Sequence, residues 1–391
     1  VVGETSAEGA GAAARVRAWV RADFAVDLVT VEPVGHGEDP AAEVWRAVAA
    51  DGARYGVKWT SGGSLAGLAV PAHLAAHGVS GVPVPVPTRS GRLWSERAGR
   101  RLALLPWVPG VDALPAGLSP ARWRSFGALL ARVHAAPVTG PLREVLPREE
   151  HTRHRHWLRT LWTVESGIAS PGPADPPVRE LAEEWRAAAG AVALVADQVE
   201  VLGRELAARP AERVLCHGDP HLGNVLRGSP GGSPGADPVG DDETRRPCSA
   251  RDVAAPLGGR EARADAEVAH RGDAGVWLVD WDDTVLAPRE WDLMFVLGGV
   301  LAFAPVGPRE QAEFFAGYGV VDVDPVRLAY YRCARAVEDL AELAARVLDH
   351  RRATADRAAA LSLVRGVLSP TGLLARAVSS LAELGRAPAD P

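Results

Sequence analysis

The stretch CHGDPHLGNVL, residues 216–226, holds the only asparagine of this 391-residue chain, Asn224, placed five residues after Asp219. The chain also has a single lysine, Lys58, among its 43 Lys and Arg. With 41 glycines and 31 prolines on an Ala-, Arg- and Val-rich background, the composition is strongly biased. A residue type that survives once in such a background marks a task its common substitutes perform badly. His217, Gly218, Asp219 and Asn224 spell H-G-D-x-x-x-x-N. Phosphoryl transfer needs a carboxylate to orient the attacking hydroxyl and accept its proton, and oxygen ligands for the Mg2+ on nucleotide phosphates. One short loop supplies both when Asp and Asn are spaced this way. The Asn oxygen is a neutral, hard ligand that leaves charge balance to carboxylates. The same residues also suit a polar turn in which Asp219 and Asn224 only cap backbone groups, so other segments have to arbitrate.

Three segments bear on that choice. In WLVDWDD, residues 277–283, Asp280 ends an apolar strand, where a metal-binding carboxylate faces a cleft. Asp280 and Asp282 point the same way if the strand continues, and carboxylates this close repel unless a cation sits between them; Asp283 reads as an ordinary charged turn. Lys58, in YGVKW, is a compact point charge suited to nucleotide phosphates, a place where the Arg fork is a poor replacement. A solvent-facing hairpin lysine is the alternative, weakened here because nearly every other basic position is Arg. VGHGED, with Gly35 and Gly37, is a Gly turn able to close over phosphates, although it falls short of a full Gly-rich pattern.

Bulk properties exclude other classes. A net charge of −6 argues against a nucleic-acid binder, which would show a basic face. Cys216, Cys248 and Cys333 form no C-x-x-C pair, so neither a disulfide framework nor a zinc site is expected. The N-terminal residues lack the pattern of a secretory signal, and the apolar run 293–307 is short for a membrane span. A soluble, cytoplasmic protein without membrane or nucleic-acid partners is expected.

Periodicity makes the first ~110 residues mostly strands, with a hairpin turning on a two-residue Asp51-Gly52 loop. In its second strand Tyr55, Val57 and Trp59 face one way and Gly56, Lys58 and Thr60 the other. A helix covers 65–79, its start restricted by Pro71. Beyond this, helices dominate: 119–137 behind a Ser-Pro start, 177–208, and from 325 to the end. Residues 228–274 are Gly-, Pro- and charge-rich with almost no large apolar side chain, the composition of a disordered insertion.

In the order Gly turn, strand Lys, H-x-D-x-x-x-x-N, strand Asp, the chain resembles the aminoglycoside phosphotransferase family of protein-kinase-like small-molecule kinases. The stretches VDWDDTVLAPREWDLM, FFAGYGV and AYYRCARAVEDLAEL are most similar to its spectinomycin phosphotransferases. The resemblance implies an α+β, protein-kinase-like two-lobe fold, with a small mainly β N-lobe (1–105) and a larger mainly α C-lobe (106–391). It implies an ATP- and Mg2+-dependent phosphotransferase acting on a hydroxyl group. Asp219 would be the base, Asn224 and Asp280, with Asp282 beside it, the metal ligands, and Lys58 the phosphate ligand. Leu105, Pro106, Trp107 and Val108 would form the hinge whose backbone reads adenine, and Asp292 would brace the catalytic segment. Glu338, on a C-terminal helix, is a candidate contact for a cationic aminocyclitol. In YYRCARAVED, Cys333 and Ala334 stand where relatives tend to have a larger and an acidic residue, which points to a changed pocket.

Two departures stand out. No Asp or Glu lies between Asp51 and Glu96, so the helix after Lys58 brings no carboxylate for it. The insertion also divides motif segments that a short hairpin normally joins. The competing readings are a kinase of an endogenous metabolite (choline, homoserine or a sugar) and a catalytically silent nucleotide-binding protein. His151, His154 and His156 read as a solvated or substrate-side basic face in preference to a metal site, since the third falls off the face the first two share.

Overall fold

The computed structural model describes residues 2–34, 42–108, 110–169, 175–228 and 275–386. Gly35 and Gly37, and all of the expected insertion except Gly228, lie outside the described residues. The chain forms two compact units. One comprises Val1–Pro147, His217–Thr284 and Glu313–Gly319, the other Arg148–Cys216, Val285–Ala312 and Val320–Pro391.

The first unit is built on a five-stranded antiparallel sheet of order β1-β2-β3-β5-β4, made from β1 (Leu28–Pro33), β2 (Ala42–Ala49), β3 (Arg54–Thr60), β4 (Ser95–Arg97) and β5 (Arg100–Pro106). Alternation along β3 sorts its side chains as the sequence predicts. Tyr55, Val57 and Trp59 are buried with Trp45, Ala47, Leu102 and Leu104. Covering that face is α1 (Val2–Phe24), a helix the strand-dominated sequence reading did not anticipate. Its buried residues Val16, Val20 and Phe24 recur every four positions, one stripe of a helix that packs on a sheet. Lys58 points to the opposite face, paired in register with Val44 on β2 and Ala103 on β5.

The β2–β3 turn differs from expectation by one residue. Ala49 N–H donates to the Ala53 carbonyl at 2.8 Å, so three residues close the hairpin, and Gly52 (φ 85°) takes the left-handed position that such a loop needs. Helix α2 (Ala66–Ala76) encloses Pro71 instead of starting at it. The proline withholds one i→i−4 bond, a tolerable loss in a helix whose Ala66, Gly67, Val70 and Leu74 are buried. The unit also holds α3 (Pro120–Ala135), started by Ser119, whose Oγ accepts from Arg122 N–H, and the short α4 (Leu142–Val145). A three-stranded sheet of order β6-β8-β9 completes it: β6 (Gly110–Asp112), β8 (Val225–Gly228) and β9 (Val276–Leu278).

In the second unit β7 (Val214–Cys216) pairs with β10 (Val285–Ala287), and α7 (Glu290–Leu293) follows. Helix α8 (Pro308–Tyr318) begins here and ends in the first unit. The helical core joins α5 (His154–Ile168), α6 (Pro176–Ala207), α9 (Pro325–Leu348), α10 (Thr354–Leu368) and α11 (Leu373–Glu383). Helices α6 and α9 start within a residue of the predicted positions, capped by Asp175 and Asp324 and opened by Pro176 and Pro325. Thr354–Glu383 has the length and apolarity of a membrane span, yet it is two helices whose Leu361, Val364, Leu373, Leu374 and Leu381 sit in this core.

His151 and His154 are buried, which removes the solvated alternative from the expected solvated or substrate-side basic face; His156 alone of the three is exposed. His154 Nδ1 lies 3.0 Å from Tyr330 Oη, and Glu149 Oε1 accepts from the His151 N–H at 2.6 Å and from Tyr330 Oη at 3.5 Å. Burial pushes the Glu149 carboxyl up to about 7 and the His151 imidazole down to about 4, so each is most at ease uncharged. Cys333 is likewise core: it is fully buried, and its thiol is pushed up to about 12 by burial.

Candidate active site

Strand pairing brings two of the predicted ligands together. Asn224 immediately precedes β8, Val279 and Asp280 follow β9, and Val225 pairs with Leu278. Both side chains therefore emerge at one end of an antiparallel pair, and the Val279 N–H donates to the Asn224 carbonyl at 3.0 Å. The ends of the long excursion between these strands also meet. A methyl placed on Gly275 would lie 3.0 Å from the Gly228 carbonyl oxygen.

Asn224 is 1% exposed, which makes its polar atoms accountable. Its Nδ2 donates to the Asp219 carbonyl at 2.8 Å and to Asp219 Oδ2 at 3.3 Å. Those bonds fix which end of the amide is which, and Oδ1 has no hydrogen-bond partner among the described residues. A buried carbonyl oxygen without a donor costs about 1–3 kcal/mol. A hard cation at that atom removes the penalty, so a divalent metal fits Asn224 Oδ1, and Asp280, at the same end of the strand pair, is a carboxylate of the kind that would share it.

The loop around Asp219 is tied down by two histidines. His217 Nε2 lies 2.9 Å from the Val279 carbonyl and its Nδ1 3.3 Å from Asp219 N–H, which assigns the proton to Nε2. Its ring also packs edge-on against Trp281, with centroids 4.5 Å apart. His221 accepts from the Gly223 N–H through Nδ1 at 3.0 Å and presents Nε2 to Asp219 Oδ2 at 3.3 Å. The sequence reading passed over His221, although a histidine two residues from a candidate base and inside its loop was a usable signal. Gly218 has φ 96°, and a Cβ there would stand 2.0 Å from the Asp283 carbonyl oxygen. Only glycine fits, because the loop crosses the backbone of the Asp280 segment at this point. Asp280 itself is left-handed, with φ 64°, a conformation that Asp tolerates better than most residues. Strain of this kind costs on the order of 1–3 kcal/mol and concentrates at functional sites.

Lys58 Nζ is bonded to Asp282 Oδ2, across 224 residues of sequence. On the face that Lys58 shares, Val44, Ala103 and Leu105 form a buried apolar strip with Leu68 against it. The strip runs along β5 toward the segment 106–108. There the Trp107 N–H is bonded to the Arg54 carbonyl at 3.0 Å, and Val108 is buried with Leu226, Trp277 and Val279. Lys58, Asp219, Asn224, Asp280, Asp282 and residues 106–108 all belong to the first unit. Glu338 belongs to the second, where its carboxylate meets Arg153 Nη2 at 2.6 Å. Asp292, also in the second unit, is fully buried, and Cys216 nearby has its thiol pushed well above the ordinary range, first by burial and then by the Asp292 charge.

A model of the phosphotransferase enzyme family matches residues 53–235. No curated protein matches the chain in sequence. Among solved structures, the chain is similar to spectinomycin phosphotransferase APH(9)-Ia in complex with ADP and spectinomycin, at 22% identity and TM-score 0.73, covering 94% of this chain and 98% of that one. The amicoumacin kinase hAmiN in complex with AMP-PNP, Ca2+ and Ami matches at 17% identity and TM-score 0.55, covering 92% of this chain and 94% of that one. An aminoglycoside phosphotransferase from Alicyclobacillus acidocaldarius matches at 17% identity and TM-score 0.54, covering 96% of each chain. The fold is the protein-kinase-like α+β architecture, sheet-rich toward the N-terminus and helical toward the C-terminus.

Proposed function

We propose, from the premise that this chain belongs to the phosphotransferase enzyme family and phosphorylates a hydroxyl group, that it uses MgATP and that its acceptor is an aminocyclitol of the spectinomycin type. The observation that carries the nucleotide reading is the buried Oδ1 of Asn224, without a hydrogen-bond partner among the described residues, on an amide bonded to the Asp219 loop. In this reading the adenine lies along Val44, Ala103 and Leu105, next to the segment Pro106–Val108. The Trp107 N–H is already taken by Arg54, so adenine recognition falls to other groups of that segment. Lys58 holds phosphate oxygens as a point charge. Asn224 and Asp280 hold the metal, which when bound neutralises charge on the transferring phosphoryl group.

Asp219 carries the acceptor chemistry. Its Oδ2 is held by Asn224 Nδ2 and His221 Nε2, so the carboxylate has a fixed orientation before substrate arrives. It orients the acceptor hydroxyl for in-line attack and takes its proton as the new P–O bond forms. Fixing the base in advance avoids reorganisation during the reaction, which is where much of the rate advantage of a positioned group arises.

The aminocyclitol assignment rests on the extent of the likeness to the spectinomycin enzyme, nearly the full length of both chains. A net charge of −6 also suits a cationic acceptor. The biological role that follows is antibiotic resistance by phosphorylation in the cytoplasm. The test is a panel of acceptors (spectinomycin, choline and homoserine) incubated with purified protein and MgATP, with product identified by mass spectrometry. Phosphospectinomycin is expected. Turnover of choline or homoserine with spectinomycin left intact would remove the aminocyclitol and keep the kinase.

A further inference from the structure

Lys58 lies on a strand, and the helix after it, α2, has no carboxylate to hold it: residues 52–95 contain neither Asp nor Glu. The structure shows what stands there. Asp282 Oδ2 is bonded to Lys58 Nζ, with 14% of the lysine side chain and 33% of the aspartate side chain exposed. The start of α2 is shaped around that same aspartate. A Cβ on Gly67 would lie 2.6 Å from Asp282 Oδ1, and one on Gly63 3.0 Å from it. Ser64 Oγ donates to the Asp282 carbonyl at 3.2 Å and accepts from the Gly67 N–H at 3.2 Å. The start of the helix therefore contributes space, and the Ser64 hydroxyl a donor to the Asp282 backbone, at the place where a helix-borne acid would have reached the lysine.

We propose that Asp282 is the positioning residue of Lys58, a carboxylate delivered from the segment after β9 in place of one from α2, with Gly63, Ser64 and Gly67 as its seat. The inference rests on the kinase reading and divides labour within it. Asp282 holds the lysine, and the metal falls to Asn224 and Asp280. A lysine on a flexible four-carbon stem needs such a partner, since its ammonium has no intrinsic direction. Asp282 acts through Lys58, so its effect should vanish once the lysine is gone.

That property sets the test. ADP affinity is measured in EDTA for wild type, Lys58→Ala, Asp282→Asn and the double variant, which takes metal coordination out of the comparison. Each single substitution is expected to weaken ADP about 10-fold, and the double also about 10-fold instead of about 100-fold, as for two groups acting as one unit. A second pair of variants moves the charge: Asp282→Ala, then Asp282→Ala with Gly67→Asp, which places a carboxylate on α2 where the Asp282 carboxylate stood, its Cβ still 3.1 Å from the Asp282 Cα and 3.2 Å from the Trp281 carbonyl oxygen. The added aspartate is expected to recover at least about 3-fold of the lost affinity, against a coupling range of roughly 2- to 150-fold for contacting groups. An additive cycle overturns the assignment, because the two groups then act independently; ADP affinity in EDTA indifferent to Asp282→Asn while Mg2+ dependence worsens also overturns it and makes Asp282 a metal ligand. No recovery in a Gly67→Asp variant that keeps its melting temperature also counts against it. Wild type that binds no ADP with or without Mg2+ would sink the kinase reading, and this inference with it.

Discussion

Gly218→Ala isolates the contact on which the loop's geometry depends. Two costs apply. A φ of 96° lies in the region where an L-residue pays about 1–2 kcal/mol, and the new methyl would sit 2.0 Å from the Asp283 carbonyl oxygen. A rigid backbone neighbour cannot swing aside, so overpacking adds roughly 1–3 kcal/mol. Gly52→Ala is the control, since Gly52 has φ 85° in the same unit and nothing within 4 Å of its Cβ position. It carries the conformational cost alone. Urea unfolding should show Gly218→Ala less stable than Gly52→Ala by about 1–3 kcal/mol. Relieving the clash demands a displacement of the order of 1 Å between the Asp219 loop and the Asp280 segment. Misplacement of that size costs about 100-fold in turnover, while Gly52→Ala should turn over normally. If the two alanine variants have equal urea midpoints and equal turnover, the crossing of the loop over Asp283 does not constrain the site and the reasoning is wrong.

Asp219→Asn should lower turnover by roughly 100- to 10,000-fold, the range for loss of a general base, with ADP affinity nearly unchanged; wild-type turnover would reject Asp219 as the base. Replacing residues 229–274 by a short Gly-containing turn should leave turnover and melting temperature intact, because Gly228 and Gly275 already meet and long loops cost little extra closure entropy. Failure to fold would show that the segment packs on the body. Glu149 gives a pH signature. Its folded pKa of about 7 lies above the ordinary 4.5 of a glutamate, so the folded state holds the proton longer, and the stabilisation present below about 4.5 is lost as pH rises to about 7. Glu149→Gln should remove that loss, on the order of 3 kcal/mol before relaxation, and flatten the urea midpoint between pH 4.5 and 7. An unchanged pH profile would mean that Glu149 is not the buried acid responsible.

Much of the candidate site was legible because the chemistry proposed for it leaves few substitutes. Asn224 and Lys58 stood out as the last of their kinds, and the strand-end position of Asp280 followed from apolar periodicity. Alternation along β3 assigned Lys58 to the face opposite Tyr55, Val57 and Trp59, where it is found. Other features depended on long-range geometry and could not be read locally. Helix α1 needs a sheet face to cover before its 16, 20, 24 stripe means anything, and the burial of His151 and His154 depends on Tyr330 and Tyr331, almost 180 residues away.

Asp282 shows most clearly what a sequence withholds. Two carboxylates at i and i+2 on an extended segment share a side, and a shared cation is the economical explanation for them. That argument holds only while the segment stays extended. Asp280 is left-handed, so the alternation breaks at the first of the pair, and Asp282 Oδ2 is bonded to Lys58 while its Oδ1 rests against Gly63 and Gly67. The missing acid on α2 and the surplus acid after β9 were both visible in the sequence, but as two separate anomalies. A single left-handed residue joins them, because it turns the second aspartate toward the lysine that the helix leaves without a carboxylate.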